Sequence, residues 1–357
     1  MGEKQNMKIA LICPSNLLYM PYLDNYREVL NKCEANYDII NWDRFHIEPS
    51  ENPLTYRDAK VGHTRNLLDY YKYKRFVVNK LKSKKYDKII VFGIQLAFFL
   101  KSLFKKYKNK FILDIRDYNK VISYFDIKKV VNYSAFTVIS SPGFKKWLPL
   151  SGKYITNHNT RVDFVEDLTD MNFQREIDKK INLSYIGTIR DLNINMKLIS
   201  SLKNNKRFNL YFHGEGIINK EIEAYLKDKE ISNAFLTGRY NREDEDELYA
   251  NGDFINVLIP NTDINSQTLL PNRLYNAVNC GKPIITFKGT FVAQLVLDNN
   301  LGLVIDSFID LDKQIERYLS SFDEEIYKKN RFRFLNNVIS ENKSFNMGLI
   351  NFINRRN

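Results

Sequence analysis

The sequence predicts an α/β protein of two domains, each a parallel β-sheet with helices on both faces. Three observations lead to this prediction: short apolar segments recur along the chain, segments of helical or loop length separate most of them, and the charge balance changes near residue 160. A chain of 357 residues with 44% hydrophobic and 27% charged residues can bury two such cores. This composition excludes disordered, collagen-like and disulfide-stabilised classes.

The predicted strands fall into two sets. Those of the first domain are residues 9–13, 88–92, 111–115 and 136–140. Those of the second domain are residues 183–187, 208–213, 234–236, 254–258 and 283–287. A polar stretch separates the sets, so we predict domains at 1–160 and 181–320 with a linker at 161–180. Residues 321–357 are predicted to form helices that pack back toward the first domain.

The excess positive charge lies in the first domain. Residues 1–160 hold 28 Lys and Arg against 14 Asp and Glu, a net +14 within a whole-chain charge of +12, so the remaining residues carry −2. Residues 72–85 predict a basic amphipathic helix with Tyr73, Phe76, Val77 and Leu81 on its apolar face. A second basic patch covers residues 96–110. These lysines are either an ordinary solvated surface or a site for an anionic partner.

Among anionic partners, a membrane surface fits this pattern better than nucleic acid. Lysines dominate and the aromatic side chains occupy the apolar face, whereas nucleic-acid modules use arginines and accessible aromatics. No apolar run approaches the roughly 20 residues that span a bilayer, and the start of the chain lacks the apolar core of a signal peptide. We therefore expect a cytoplasmic protein, peripherally associated with the inner face of the membrane, with no nucleic-acid partner.

Two sequence features could suggest a metal site, and neither is persuasive. The cysteines Cys13, Cys33 and Cys280 are far apart and have no C-x-x-C spacing, which favours buried thiols over a zinc site or a disulfide. The acidic run 243–247 follows Asn241 and precedes an apolar pair. This arrangement favours a helix start, with Asn241 as the cap and the carboxylates at the positive end of the helix dipole. We expect no metal ion.

The most specific segment is 269–285. Pro271 suits a helix start, Gly281 suits the position after the helix end, and Pro283 precedes a buried strand. The first turn of such a helix, with Arg273 in it, is an anion site suited to a diphosphate. The alternative is an ordinary helix–strand connection.

This segment resembles the P-x-[KR]-x-x-E-x-x-x-x-G-x-P signature of the nucleotide-sugar-dependent glycosyltransferases with two facing Rossmann-like domains, called GT-B. Further segments resemble GT-B motifs in the same order along the chain. In the second domain they are a strand ending in glycine at 184–190, a G-x-G turn at 211–216, a strand-Gly turn at 235–240 and a helix end at 248–253. In the first domain, residues 111–117 are similar to a strand end of the retaining transferases called family 4.

The resemblance implies a glycosyltransferase of bacterial surface polysaccharide (capsular, exo- or lipopolysaccharide) synthesis. Its donor would be a nucleoside-diphosphate sugar, UDP-linked, and its acceptor a lipid-linked saccharide, with other polysaccharide-assembly enzymes as partners and no cofactor. The implied donor-binding residues are Gly187, Thr188, Arg190, Lys197, Gly214, Gly238, Arg239, Tyr240, Asn272, Arg273, Leu274 and Asn276. The candidate catalytic residues are Asp117, Arg116 and His158.

Charge on the leaving diphosphate requires cations or N–H dipoles, which Arg190, Lys197 and Arg273 can supply without a metal. Asp117 follows a parallel strand at the end where ligands gather, although it could also be a loop carboxylate paired with Arg116. His158 is either a general base or a hydrogen-bonding hinge residue. A retaining mechanism is favoured over an inverting one.

The sequence departs from the GT-B pattern at three places. The donor-ribose glutamate of the family falls on Asn276, and a second glutamate falls on Thr268. The Gly-rich loop after the first strand is replaced by residues 14–18. These departures leave a second hypothesis open, a non-catalytic partner subunit with the same fold.

Overall fold

The structure, a computed structural model, describes residues 7–160 and 179–355 and contains two compact units. Unit 1 comprises Met1–His158 and Glu341–Asn357, and unit 2 comprises Asn159–Ser340. Most of the predicted linker, residues 161–178, lies outside the described residues.

Unit 1 contains a seven-stranded sheet with the strand order β3-β2-β1-β4-β5-β6-β7, and every neighbouring pair is parallel. Its strands are β1 (Lys8–Ile12), β2 (Asn36–Asp43), β3 (Thr55–Arg57), β4 (Lys88–Phe92), β5 (Phe111–Ile115), β6 (Phe136–Ile139) and β7 (Tyr154–Thr156). The four predicted strands of this domain are confirmed as β1, β4, β5 and β6. The sequence did not indicate β2, whose first half is only partly buried, or β3 and β7, which are three-residue edge strands.

Unit 2 contains a six-stranded parallel sheet with the order β10-β9-β8-β11-β12-β13. Its strands are β8 (Ile181–Ile186), β9 (Phe208–His213), β10 (Ala234–Gly238), β11 (Phe254–Asn256), β12 (Ile284–Phe287) and β13 (Gly302–Ile305). The five predicted strands are confirmed as β8 to β12. The edge strand β13 was missed because it is short and mostly half-buried.

Helices cover the sheets. They are α1 (Leu23–Lys32), α2 (Leu67–Lys84), α3 (Ile94–Leu100), α4 (Ile127–Tyr133), α5 (Leu192–Ser201), α6 (Asn219–Asp228), α7 (Glu245–Ala250), α8 (Ile264–Thr268), α9 (Asn272–Asn279), α10 (Phe291–Asp298), α11 (Leu311–Ser320) and α12 (Glu324–Asn354). In unit 2, Leu183 and Tyr185 of β8 pack into a core with α5, α6 and α11, while Ile186 packs with α9, α10 and α12. The sheet therefore has helices on both faces, as predicted. No helix within the described residues has the length and apolar run needed to cross a membrane.

The basic helix α2 begins at Leu67, five residues before the predicted start. Asn66 caps it: the Asn66 side chain accepts the backbone N–H of Asp69, and the Asp69 carboxylate accepts the N–H of Asn66. The apolar face predicted from the sequence is confirmed, because Tyr73, Val77 and Leu81 are buried.

The acidic run forms a short 3-10 turn, Arg242–Asp244, followed by α7. The predicted helix start is confirmed, but the predicted cap is wrong, because the Asn241 side chain makes no capping hydrogen bond. The 3-10 turn separates Asn241 from the first turn of α7. In the parts of the chain that the structure describes, no three His, Cys, Asp or Glu side chains are grouped to hold a metal ion.

The last helix, α12, contributes to both units: residues 324–340 belong to unit 2 and residues 341–354 to unit 1. The buried Lys88 ammonium fixes its end in unit 1 by donating to the carbonyls of Phe352 and, at 2.7 Å, Arg355. Burial lowers the pKa of Lys88 to about 8. A lysine at a helix C-terminus satisfies carbonyls that have no partner within the helix.

Candidate functional site

Three glycine turns lie side by side at the carboxyl edge of the unit 2 sheet, the edge at which its parallel strands end. Gly187 follows β8, Gly214 follows β9 and Gly238 ends β10. The Gly187 N–H donates to the carbonyl of His213 at 2.9 Å, and the Gly214 N–H donates to the carbonyl of Gly238 at 2.8 Å. The turns thus extend the sheet beyond its strands.

The turn at Gly214 requires glycine. Its φ is +130°, and a Cβ on it would lie 2.1 Å from the carbonyl oxygen of Gly187. A Cβ on Gly187 or Gly238, by contrast, would meet no described atom within 4 Å. The turns pack closely against each other, while open space at Gly187 and Gly238 leaves room for a ligand to approach the backbone.

Arg273, in the first turn of α9, stacks on the ring of Tyr185 in β8. Its guanidinium carbon lies 3.4 Å from the ring centroid. Its Nη1 is buried and has no hydrogen-bond partner among the described residues. Because leaving such a donor unpaired is costly, a buried guanidinium with an unpaired N–H is suited to a bound anion.

The hydroxyl of Tyr185 holds the loop that carries two further predicted donor-binding residues. It donates to the carbonyl of Thr188 at 2.9 Å and accepts the N–H of Arg190 at 3.2 Å. The side chains of Thr188 and Arg190 are exposed. Burial raises the pKa of Asp191, whereas the charges of Arg273 and Arg190 act to lower it.

The remaining predicted donor-binding residues differ in position. Lys197 is exposed on α5, and Asn272 is exposed at the start of α9. Arg239 is 80% exposed in an ion pair with Glu215. Leu274 does not face a ligand: its side chain is fully buried in the core and its N–H donates to the Pro271 carbonyl. Leu274 was predicted as part of the helix start that offers N–H groups, and in the structure its side chain anchors α9 in the core.

Glu245 lies beside the candidate site, and sequence reasoning missed it. Its carboxylate accepts a hydrogen bond of 3.1 Å from the Asn276 amide, although the two residues are 31 positions apart. Burial raises the pKa of Tyr240 to about 12, and the charge of Glu245 adds to this shift. Asn276 lies one turn after Arg273 on α9, so Glu245, Asn276 and Arg273 lie close together. No local sequence signal relates Glu245 to Asn276.

The candidate catalytic residues of unit 1 lie at the carboxyl edge of its own sheet. Asp117 is exposed on the loop after β5. Arg116 is largely buried; it binds the carboxylate of Asp114 through two hydrogen bonds and reaches the Asn157 carbonyl at 3.2 Å. The structure therefore brings the end of β5 together with the end of β7.

His158 follows Asn157 and is buried. Its N–H donates to the Asn342 side chain at 2.8 Å, and its Nε2 bonds to Glu341. Both partners belong to the part of α12 that packs in unit 1. Both the backbone and the ring of His158 therefore hold this helix.

Comparison with known proteins relies on structure alone. No protein-family profile matches the sequence, and no curated protein matches it. Sucrose-phosphate synthase from Thermosynechococcus elongatus superposes with a TM-score of 0.70 at 13% identity, covering 96% of this chain and 98% of the other. The lipopolysaccharide outer core galactosyltransferase WaaB gives 0.65 at 13%, covering 96% and 99%. The pneumococcal O-GlcNAc transferase GtfA, solved with UDP and GlcNAc, gives 0.62 at 11%, covering 98% and 100%.

The chain has the GT-B fold. Its departures from the GT-B signature have different structural consequences. Thr268 is buried in α8 and donates its hydroxyl to the Ile264 carbonyl at 2.6 Å, so it completes a short helix. Asn276 retains a carboxylate neighbour through Glu245.

The loop that replaces the Gly-rich turn in the first sheet is also ordered by side chains. The Asn16 amide donates to Asp43 at 2.6 Å, and its carbonyl oxygen accepts the N–H groups of Arg44 and Phe45 at 2.9 and 3.2 Å. This third departure from the GT-B pattern therefore gives a loop that is tied to the end of β2.

Proposed function

We propose that the chain is a glycosyltransferase that transfers a sugar from a nucleoside-diphosphate sugar, UDP-linked, to a lipid-linked saccharide in surface polysaccharide assembly. The observation that carries the proposal is the guanidinium of Arg273, held on Tyr185 at the start of α9 with a buried, unpaired N–H. The diphosphate binds this N–H and the first turn of α9. The open glycine turns at Gly187 and Gly238 give it access to the backbone.

The structurally similar proteins support this donor class. WaaB is named as a galactosyltransferase of the lipopolysaccharide outer core, and the GtfA structure contains UDP and GlcNAc. We extend the donor class and the nucleotide to this chain because the same fold here carries a cationic, glycine-lined strand edge.

In the proposed reaction, the bond between the sugar C1 and the β-phosphate oxygen breaks as a bond from C1 to an acceptor hydroxyl oxygen forms. Arg273, Arg190 and Lys197 stabilise the charge on the leaving diphosphate, so no metal is needed. In a retaining reaction the departing phosphate oxygen takes the acceptor proton, whereas in an inverting reaction Asp117 takes it. We favour the retaining course.

The acceptor is proposed to bind unit 1, which carries the excess positive charge. A lipid diphosphate is anionic and lies at a membrane surface, which fits a protein held peripherally on the inner face of the membrane beside other polysaccharide-assembly enzymes. This part of the proposal rests on charge complementarity.

A second candidate function is a non-catalytic partner subunit. The replacement of the two signature glutamates by Asn276 and Thr268 favours it. The two candidates differ in turnover: only the enzyme releases UDP from a UDP-sugar when membranes carrying the acceptor are added.

Calorimetric titration with UDP and GDP tests the donor site. Arg273→Ala removes up to two charge-assisted hydrogen bonds and should cost about 2–4 kcal/mol of binding free energy. Arg207→Ala is the matched control, because Arg207 precedes β9 at the opposite edge of the same sheet and pairs with Glu316. Unchanged affinity for both nucleotides in Arg273→Ala would refute the phosphate assignment.

A further inference from the structure

A group of large apolar side chains is exposed at the carboxyl edge of the unit 1 sheet. This apolar rim consists of Leu18, Tyr19, Val61, Leu67, Leu68 and Tyr71. Its residues come from the loop after β1, the loop after β3 and the first two turns of α2. A single exposed leucine is ordinary, but a group of them on neighbouring loops is typical of an interaction surface.

Ring contacts join these loops. The Tyr19 ring lies 4.8 Å from that of Phe45, in the loop after β2, and 5.6 Å from that of His63, in the loop after β3. The rings of Phe45 and His63 are 4.7 Å apart. These contacts hold the loops after β1, β2 and β3 against one another at this edge of the sheet.

The loop that presents Val61 is held in place by Arg65. The buried Arg65 guanidinium binds the Asp58 carboxylate through two hydrogen bonds of 2.8 and 2.9 Å. It also donates to the carbonyls of Gly62, Thr64 and Lys60 at 2.9, 2.8 and 2.6 Å. The exposure of Val61 is thus set by a loop whose backbone is tied to a buried cation.

The capping of α2 likewise determines which side chains face outward. Because Asn66 is the cap, Leu67 and Leu68 occupy the first two helical positions, and both are 71% exposed. Asp69, the third residue, is buried and pairs with Lys60 at 2.5 Å. Asp58 and Asp69 are therefore each paired with a cation, while the Glu48 carboxylate accepts the backbone N–H of Leu17 at 2.8 Å, next to Leu18.

Exposed cations border the rim. Lys72 and Arg75 are exposed, and the Lys74 ammonium lies 5.3 Å from the centroid of the Tyr71 ring. Leucines that insert at the headgroup level, tyrosines at the interface and cations beside them are the features with which peripheral proteins bind anionic bilayers.

We propose that the apolar rim is the surface by which this protein docks on a bilayer containing anionic lipids. The inference rests on the proposed function, since the acceptor proposed there is borne by a membrane.

The apolar rim replaces the lysine-rich end of α2 as the proposed membrane contact. Lys84 bonds to Asp38 near the start of β2, so that end lies at the opposite edge of the sheet. The 18 residues of α2 place it about 27 Å from Leu67, beyond a Debye length of about 8 Å.

The test is co-sedimentation of the full chain with phosphatidylcholine vesicles, with and without phosphatidylglycerol. Leu67→Ser combined with Leu68→Ser should reduce binding to the anionic vesicles about tenfold or more, because two inserted side chains are lost. Leu150→Ser and Ile217→Ser are matched controls, since both residues are 95% exposed and lie outside the rim, and they should leave binding unchanged. Replacing Lys82, Lys84 and Lys85 with Ser should change binding less than about twofold.

Three results would overturn the proposal: equal binding of wild type and the double variant, a larger loss from the lysine replacements than from the leucine replacements, or equally strong binding to purely neutral vesicles. Analytical ultracentrifugation without lipid adds a fourth. If the wild type is a dimer, the double variant is a monomer and neither protein binds vesicles, the rim is a self-association surface. UDP titration of each variant keeps the two proposals separate. If only the docking proposal is wrong, the wild type still binds UDP. If the donor-site proposal is wrong, the wild type does not bind UDP.

Discussion

The guanidinium of Arg116 binds the carboxylate of Asp114 through two parallel hydrogen bonds, Nε to Oδ1 at 2.6 Å and Nη2 to Oδ2 at 2.7 Å. The hydroxyl of Tyr26 donates to the same carboxylate at 2.6 Å. Burial acts to lower the pKa of Arg116, but the charge of Asp114 outweighs it and the pKa is raised. Arg116, a candidate catalytic residue next to Asp117, is thus also part of the buried structure at the end of β5.

We predict that Arg116→Ala lowers the free energy of unfolding by about 3–5 kcal/mol, because it leaves the fully buried Asp114 without its cation. The midpoint of urea denaturation measures this. Arg27→Ala, which breaks an exposed pair with Asp24, should change the unfolding free energy by less than about 1 kcal/mol. Equal effects of the two substitutions would show that the Arg116–Asp114 pair contributes no more than a surface pair.

Glu245→Gln should weaken UDP binding by about 1–3 kcal/mol. In the proposed site the Glu245 carboxylate, beside Asn276 and one helical turn from the phosphate ligand Arg273, accepts a hydrogen bond from a ribose hydroxyl. Calorimetry should show a loss for UDP and none for a UDP analogue that lacks the ribose hydroxyls. The control is Glu243→Gln, an exposed carboxylate two residues earlier. A loss of equal size for both nucleotides would place Glu245 elsewhere than at the ribose.

The stability of the protein should fall in mild acid because of His213. Burial lowers the pKa of His213 below its ordinary value of 6.5, and its Nδ1 lies 2.9 Å from the Thr237 hydroxyl. The unfolded chain therefore takes up this proton at a higher pH than the folded one. The stability that neutral His213 contributes is complete above about pH 6.5 and is lost as the pH falls through the folded-state pKa.

Thermal melting between pH 7.5 and 5 measures this effect. His213→Gln should make the melting temperature depend less on pH, whereas His63→Gln, which alters an exposed histidine, should leave the dependence unchanged. An identical pH dependence in wild type and His213→Gln would contradict the assignment.

Sugar transfer should persist in EDTA. The charge on the leaving diphosphate is balanced in the proposed site by Arg273, Arg190 and Lys197, so a divalent cation has no required place. Release of UDP, measured with and without the chelator, tests this. A strict requirement for magnesium or manganese that is restored on adding the ion back would contradict it.

Local sequence determined much of the fold. Buried strands such as β4 and β5 are recognisable because parallel strands covered on both faces consist of continuous apolar residues. The helix α9 is recognisable because proline fixes the backbone where the helix starts and glycine permits the left-handed conformation just after its end. The segments that escaped prediction, β2, β3, β7 and β13, are edge strands or polar ones, and their pairing depends on a neighbour distant in the sequence.

Within the candidate site, the sequence determined residue types and the tertiary structure determined their partners. Gly187, Gly214 and Gly238 could be assigned to strand ends from the sequence, since each follows an apolar run. The stacking of Arg273 on Tyr185 and the contact between Asn276 and Glu245 could not, because they join residues from separate elements. Three leucines show the same dependence on tertiary structure: Leu274 is buried in a core, whereas Leu67 and Leu68 face solvent. A leucine's hydropathy is fixed by its chemistry, but whether it enters a core or faces solvent depends on how its helix is capped and packed.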